Sequence, residues 1–258
     1  MKQGCVLVRW LGGGAIFVAL LQLTACSSLA PLPEQTNSTP TPWVMLSAGN
    51  QHAPGWKHQL FPGKSASQFR YVQKDGRAAM AANSVSSASM LRQVMRVESA
   101  ELADVRFSWK VPALIARADM ALRDADDSPV RILLMFEGDR SKFSSKNAML
   151  SELARALTGE ELPYATLMYV WCNTRAPGTV IVNPRTDRVR KLVVESGTGN
   201  LQQWIDYKRD IRKDYETAFG EAPGALVGIG IMTDSDNTRT STRAWYGPVT
   251  LGTVAKGR

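Results

Sequence analysis

Val105, Phe107, Trp109 and Val111 alternate with Arg106, Ser108 and Lys110. Successive side chains on a strand point to opposite faces, so this stretch predicts a strand with one face in a core and the other in water. Such one-sided strands build antiparallel sheets, which must bury their apolar face against a second layer. Pro112 ends the run. Residues 130–136 behave differently. They are continuously apolar after Arg131, which predicts a central strand covered on both faces.

Further strands follow from the same reasoning. Residues 68–73 and 78–83 flank Lys74-Asp75-Gly76-Arg77, and Asp-Gly between two such runs predicts a tight hairpin. Residues 180–182 and 189–195 predict another hairpin around Asn183-Pro184. Residues 89–97, 164–171, 226–232, 242–246 and 249–254 complete the set. One helix is well signalled. Ser144 or Ser145 caps it, Leu150, Leu153, Ala154 and Leu157 share a face, and Gly159 closes it. Residues 201–219 read either as one helix or as a strand to Tyr207 followed by a short helix. Gly228 and Gly230 fall on one side of their strand, which predicts a large group, such as a tryptophan or another backbone, packed over them. With no regular βαβ alternation, the expected fold is mainly β: a single β-sandwich of jelly-roll type with one or two helical insertions.

The chain has 258 residues. Residues 1–25 read as an export leader, with Lys2 and Arg9 ahead of an apolar stretch too short to span a bilayer as a mature helix. Leu23-Thr24-Ala25-Cys26 resembles the bacterial lipobox, whose cysteine is acylated after cleavage. Ser27 then resembles an outer-membrane rather than an inner-membrane address. The expected partner is therefore a membrane, through a lipid anchor on Cys26, with the protein in the cell envelope facing the periplasm. Residues 26–42 are rich in Pro, Ser and Thr and read as a tether, and the sandwich is expected over 43–258. Cys5 leaves with the leader and Cys26 is acylated, so Cys172 has no disulfide partner and is expected as a buried thiol.

The formal net charge is +8. Arg185, Arg188, Arg190, Lys191, Lys208, Arg209, Arg212 and Lys213 concentrate much of it. A basic surface in the envelope suits anionic lipid or polysaccharide, and the export signal argues against nucleic acid.

Phe107-Ser-Trp109-Lys110, Asp126-Asp127-Ser128-Pro129-Val130-Arg131, Tyr169-Val170-Trp171, Asp214-Tyr215 with Phe219-Gly220, and Thr233-Asp-Ser-Asp-Asn-Thr238 occur in this order. Together they resemble the bacterial family known as domain of unknown function 3047, over about Trp56 to Leu251. The resemblance implies an exported β-rich domain and carries over no activity or catalytic residue. At the level of fold, the chain is also similar to carbohydrate-binding β-sandwiches, an analogy that does not establish function.

The chemistry that fits is narrow. His52 and His58 are the only histidines, and no Cys/His cluster exists, which disfavours zinc. No Gly-x-Ser-x-Gly elbow occurs, and Gly63-Lys64-Ser65 lacks the earlier glycine of a phosphate loop. Asp234, Asp236 and Asn237, completed by Asp126 or Asp127, offer oxygen ligands of the kind Ca²⁺ takes. The run departs from an EF-hand at Thr238, Arg239 and Trp245. The alternative is an Asx turn bonded to its own backbone. A polysaccharide hydrolase would need Asp234 or Asp236 opposite Asp127 or Glu137, about 5–5.5 or about 6.5–9.5 Å away. Glycan binding asks less: an aromatic face, for which Trp171, Trp245 and Tyr246 are the candidates, with polar groups beside it. The expected function is thus non-catalytic binding of a cell-surface glycan. The alternatives are the Asp234/Asp236 hydrolase and a protein-binding scaffold.

Overall fold

The structure is a computed structural model, described for residues 41–47 and 55–253. The leader, most of the tether and Cys26 lie outside the described residues. A short helix α1, Pro42–Leu46, is capped by Thr41 and seats Trp43 in the core, with its indole nitrogen donating to the Tyr246 carbonyl at 2.9 Å. The strands that follow are β1 Lys57–Leu60, β2 Gln68–Lys74, β3 Arg77–Val85, β4 Ser89–Val97, β5 Leu102–Lys110 and β6 Ser128–Phe136. Helix α2, Ser145–Thr158, precedes β7 Ala165–Cys172, β8 Val180–Val182, β9 Val189–Ser196 and β10 Trp204–Asp210. Helix α3, Ile211–Phe219, leads to β11 Leu226–Asp234, β12 Ser241–Tyr246 and β13 Thr250–Thr253.

These strands form two sheets. One has seven strands in the order β1-β4-β11-β6-β7-β9-β8. The other has six, β10-β5-β12-β3-β2, with β13 beside β5. The mainly-β sandwich expected from the alternation is the fold observed. The inner faces meet through Ile132, Leu134, Leu167, Tyr169, Ile229 and Ile231 on one side and Phe107, Trp109, Met80, Ala82 and Tyr246 on the other. Phe107 stacks on Tyr169 at 5.5 Å and on Tyr207 at 5.1 Å. Residues 39–258 make one compact unit whose main core closes between Trp43 and Val249.

Local signals act as the sequence implies. Asp75 and Gly76 both take positive φ, the geometry of a two-residue hairpin turn. Ser144 caps α2 and Gly159 ends it in a left-handed conformation. Residues 201–219 resolve into a strand and then a helix, because Asp210 caps α3 and Trp204, Asp206 and Lys208 alternate with Ile205 and Tyr207. One feature differs from expectation. The β8–β9 hairpin forms, but β9 inserts between β8 and β7, so β7 and β9 run parallel. Gly228 and Gly230 are covered by neighbouring backbone, one of the two groups expected, together with methionine. A Cβ on Gly228 would lie 3.3 Å from the Met135 sulfur, and one on Gly230 3.1 Å from the Leu91 carbonyl.

Candidate functional site

Strands β6 and β11 pair with Ser128 opposite Asp234, so Asp126 and Asp127 stand beside the loop that leaves β11. The acidic cluster expected from the sequence therefore assembles. Its carboxylates, however, are already engaged. Asp127 accepts from the Thr238 amide at 2.7 Å and hydroxyl at 2.6 Å, and from the Asn237 side chain at 2.9 Å. Asp234 accepts from Arg131 Nε at 2.7 Å and a terminal guanidinium nitrogen at 2.9 Å. Asp126 accepts from Lys191 at 2.7 Å, Asn183 at 3.0 Å and Arg131 at 3.1 Å. Asp236 pairs with Lys64. Tyr246 donates to the Met232 carbonyl and receives the Arg131 amide at 3.2 Å, which ties the cluster to β12.

Arg131 and Lys191 complete this network, and both are buried charges. A charge leaves water only when paired, and each has a carboxylate within hydrogen-bond reach. Burial, helped by Arg131 nearby, lowers the Lys191 ammonium to about 8. Burial pushes the Asp234 carboxyl up to about 7, although Arg131 opposes it. Burial also opposes ionisation of Asp126, but Arg131 and Lys191 outweigh it and hold that carboxyl below its usual range.

Asp127, Asp234 and Asp236 each offer an oxygen within 4.8 Å of the others, close enough for one cation. A Ca²⁺ ion there would have to displace Arg131 from Asp234 and Lys64 from Asp236. Neither adding Ca²⁺ nor chelating it is therefore expected to move the melting temperature. A shift of several degrees, lost in Asp236→Asn, would restore the metal reading. The hydrolase arrangement with Glu137 does not form. Glu137 follows the far end of the nine-residue β6 and forks onto Arg96 at 2.7 and 2.8 Å. At about 3.3 Å per residue, the strand keeps it far beyond the spacing of a carboxylate pair.

Two of the three aromatic candidates are unavailable. Trp171 is 1% exposed, with its indole nitrogen on the Gly197 carbonyl, and Tyr246 is 0% exposed. Both occupy inner-face positions, where strand alternation turns them into the sandwich. Trp245 is the neighbour of Tyr246, so it faces outward and is half-buried.

Here the structure supplies a residue the sequence reading passed over. Trp204 and Trp245 both pair with Lys110, from β10 and β12 respectively. Paired residues share a face, so two indoles flank one ammonium on the outside of the six-stranded sheet, two inter-strand steps or about 10 Å apart. Asp75 fixes the arrangement by accepting from Lys110 at 2.6 Å and from the Trp204 indole at 3.2 Å. Lys74 lies 4.9 Å from the Trp245 ring and Arg77 5.2 Å from the Trp204 ring. Beside Trp245 a cavity of about 570 Å³ is bordered by Gln68, Asn83, Arg243 and Pro112.

The basic run does not form one free surface. Arg188 pairs with Glu221 and lies 3.9 Å from the Tyr164 ring, Arg209 pairs with Asp214, and Lys191 is buried. Cys172 is buried, as a lone thiol was expected to be. Among the described residues, no helix is long and apolar enough to cross a membrane.

The class defined by these observations is a two-sheet β-sandwich with a paired-tryptophan face on one sheet and a buried ion network at one end of the other. The chain belongs to the family described as Protein of unknown function (DUF3047), whose model matches residues 54–250. No curated protein matches the chain. Two solved structures are similar in shape. One, titled "CBM4 structure and function", has a TM-score of 0.36 at 11% identity, covering 78% of this chain and 87% of that one. The other is the xyloglucanase domain of NopAA, a type three effector from Sinorhizobium fredii, in complex with cellobiose. Its TM-score is 0.39 at 9% identity, covering 80% of this chain and 96% of that one. Neither likeness assigns a ligand to this chain.

Proposed function

We propose that this protein is a non-catalytic binding module of the bacterial cell envelope, held to the outer membrane through acylated Cys26, that grips a glycan on the outer face of its six-stranded sheet. The placement of Trp204 and Trp245 on either side of Lys110 carries the reading. An indole offers an apolar face to the C–H side of a sugar ring, and the cost of leaving such a face in water drives the contact. Lys110 stands between the two platforms, and Asn83, Gln68 and Arg243 border the cavity on the far side of Trp245, each placed to meet hydroxyls or acid groups of a ligand that crosses the face. Lys74 and Arg77 rest over the rings at the ends of flexible side chains, which a ligand displaces.

The test is retention of residues 39–258 on immobilised envelope polysaccharide at about 0.1 M and about 1 M salt, where the screening length falls from about 10 to about 3 Å. Trp204→Ala and Trp245→Ala are each expected to weaken retention about 30-fold at both salts, the scale of an interface anchor. Lys110→Ala is expected to weaken it at low salt only. Wild-type protein that passes every envelope polysaccharide unretained at low salt ends the glycan reading. An unmodified Cys26 in the mature chain, seen by mass spectrometry, ends the anchor.

A further inference from the structure

The opposite side of the molecule carries a second feature that the glycan face does not use. The outer face of the seven-stranded sheet is floored by Met90, Leu133, Met135, Met168 and Met232. Gly228 and Gly230 leave Met135 room to lie flat across β11. Helix α2 stands along this floor but does not close on it. Leu153 and Leu157, the apolar stripe that identifies the helix in the sequence, remain 53% and 61% exposed, and Leu60 opposite is 59% exposed. Between them runs an apolar groove of about 620 Å³, within the range of about 300–1,000 Å³ typical of small-molecule sites.

The groove changes character at one end. Phe61, Met168, Met232 and Arg185 line both the apolar groove and an adjoining polar cavity of about 430 Å³. The carboxylates bordering that cavity are spent on Arg131, Lys191 and Lys64. Arg185 bonds neutral acceptors, Asn237 and the Arg123 carbonyl, both at 3.2 Å, and its nearest carboxylate, Asp126, is 4.0 Å away. The exposed Arg123 guanidinium has no carboxylate partner among the described residues. Two guanidiniums are thus left to an incoming anion at the end of an apolar channel. The floor strands β11, β6 and β7 are paired on both sides, so no open edge is there to take an extended peptide. The floor has no tryptophan or tyrosine on which a sugar ring would stack. Thioether side chains adapt to a flexible alkyl chain.

We infer that this groove binds one long-chain fatty acid, with its alkyl chain between the methionine floor and the α2 leucines and its carboxylate at Arg185 and Arg123. The site is separate from the tryptophan face and stands whether or not that face holds a glycan.

Equilibrium dialysis of residues 39–258 against radiolabelled palmitate, below its critical micelle concentration, tests the inference, with methyl palmitate as the uncharged comparison. The expected result is saturable binding of one palmitate per protein. Arg123→Ala together with Arg185→Ala weakens palmitate at least tenfold and leaves methyl palmitate unchanged, while Leu153→Asp weakens both. Because Arg185 also bonds Asn237, Arg123→Ala alone is measured too, and it is expected to weaken palmitate several-fold with an unaltered melting curve. Absence of saturable palmitate binding overturns the proposal. So does an equal loss of both ligands in the arginine variants. So does a dimer in light scattering that Leu153→Asp abolishes, which would make a second copy the occupant.

Discussion

Replacing Arg131 by methionine is expected to lower the melting temperature of residues 39–258 by about 6–20 °C. Arg131 is 2% exposed and is the shared partner of Asp234 and Asp126, which are 2% and 4% exposed. Removing one member of a buried ion pair leaves the other charge uncompensated, at about 3–5 kcal/mol. For a unit of this size, each kcal/mol moves the transition by about 2–4 °C. Methionine keeps most of the volume, so loss of packing contributes little to the change. Arg131→Met combined with Asp234→Leu is expected to recover part of the loss, because no unpaired charge then remains at that position. Thermal unfolding of the two variants decides it. A single variant that melts within 2 °C of wild type would show that the network does not stabilise the junction of β6, β11 and β12.

How much of this was legible from the chain depends on which physical signal each residue gives. The alternation around Trp109 and the Asp75-Gly76 turn are local, and local signals survive folding unchanged. The meeting of Asp126 and Asp127 with the Asp234 loop was also legible as a candidate cluster, but its chemistry was not. Of the decisive partners, Arg131 sits in the apolar run of β6, and a charge inside such a run demands a buried counter-charge, a signal the sequence carries by itself. Lys191 follows Arg190 in β9 and reads as one more member of a basic stretch, so its burial is not legible locally. The aromatic face was misjudged for a different reason. Trp245 and Tyr246 are adjacent on one strand, so they cannot both face out, and only strand pairing shows which one does. Pairing likewise brings in Trp204, 41 residues from Trp245 in sequence. The leucine stripe of α2 identified a helix correctly, yet periodicity alone does not reveal whether an apolar stripe is packed or left open.

The pH dependence of stability is expected to show an alkaline rise that belongs to Lys191. Its side chain is 0% exposed and faces Asp126 and the Met120 carbonyl, with Arg131 of β6 and Asp234 of β11 close enough to act on it. Its folded pKa, about 8, lies below the ordinary value of 10.5 that the unfolded chain keeps. Between these values the unfolded state binds more protons than the folded one, so stability increases with pH. The increase amounts to roughly 1 kcal/mol between pH 8 and about pH 9, or about 2–4 °C in melting temperature. Above about pH 9.5 the trend reverses. Burial holds the phenols of Tyr169, Tyr207, Tyr215 and Tyr246 above the usual tyrosine range, so the folded state there keeps protons that the unfolded state loses. Lys191→Met removes the titrating group while Asp126 retains Arg131 and Asn183. Its melting temperature is therefore expected to stay flat from pH 8 to about pH 9, where that of the wild type climbs, to fall from about pH 9.5 onward, and to run parallel with the wild type only above about pH 11. If the two proteins follow parallel curves across the whole window, Lys191 does not titrate there and its ammonium is as well solvated in the fold as in water.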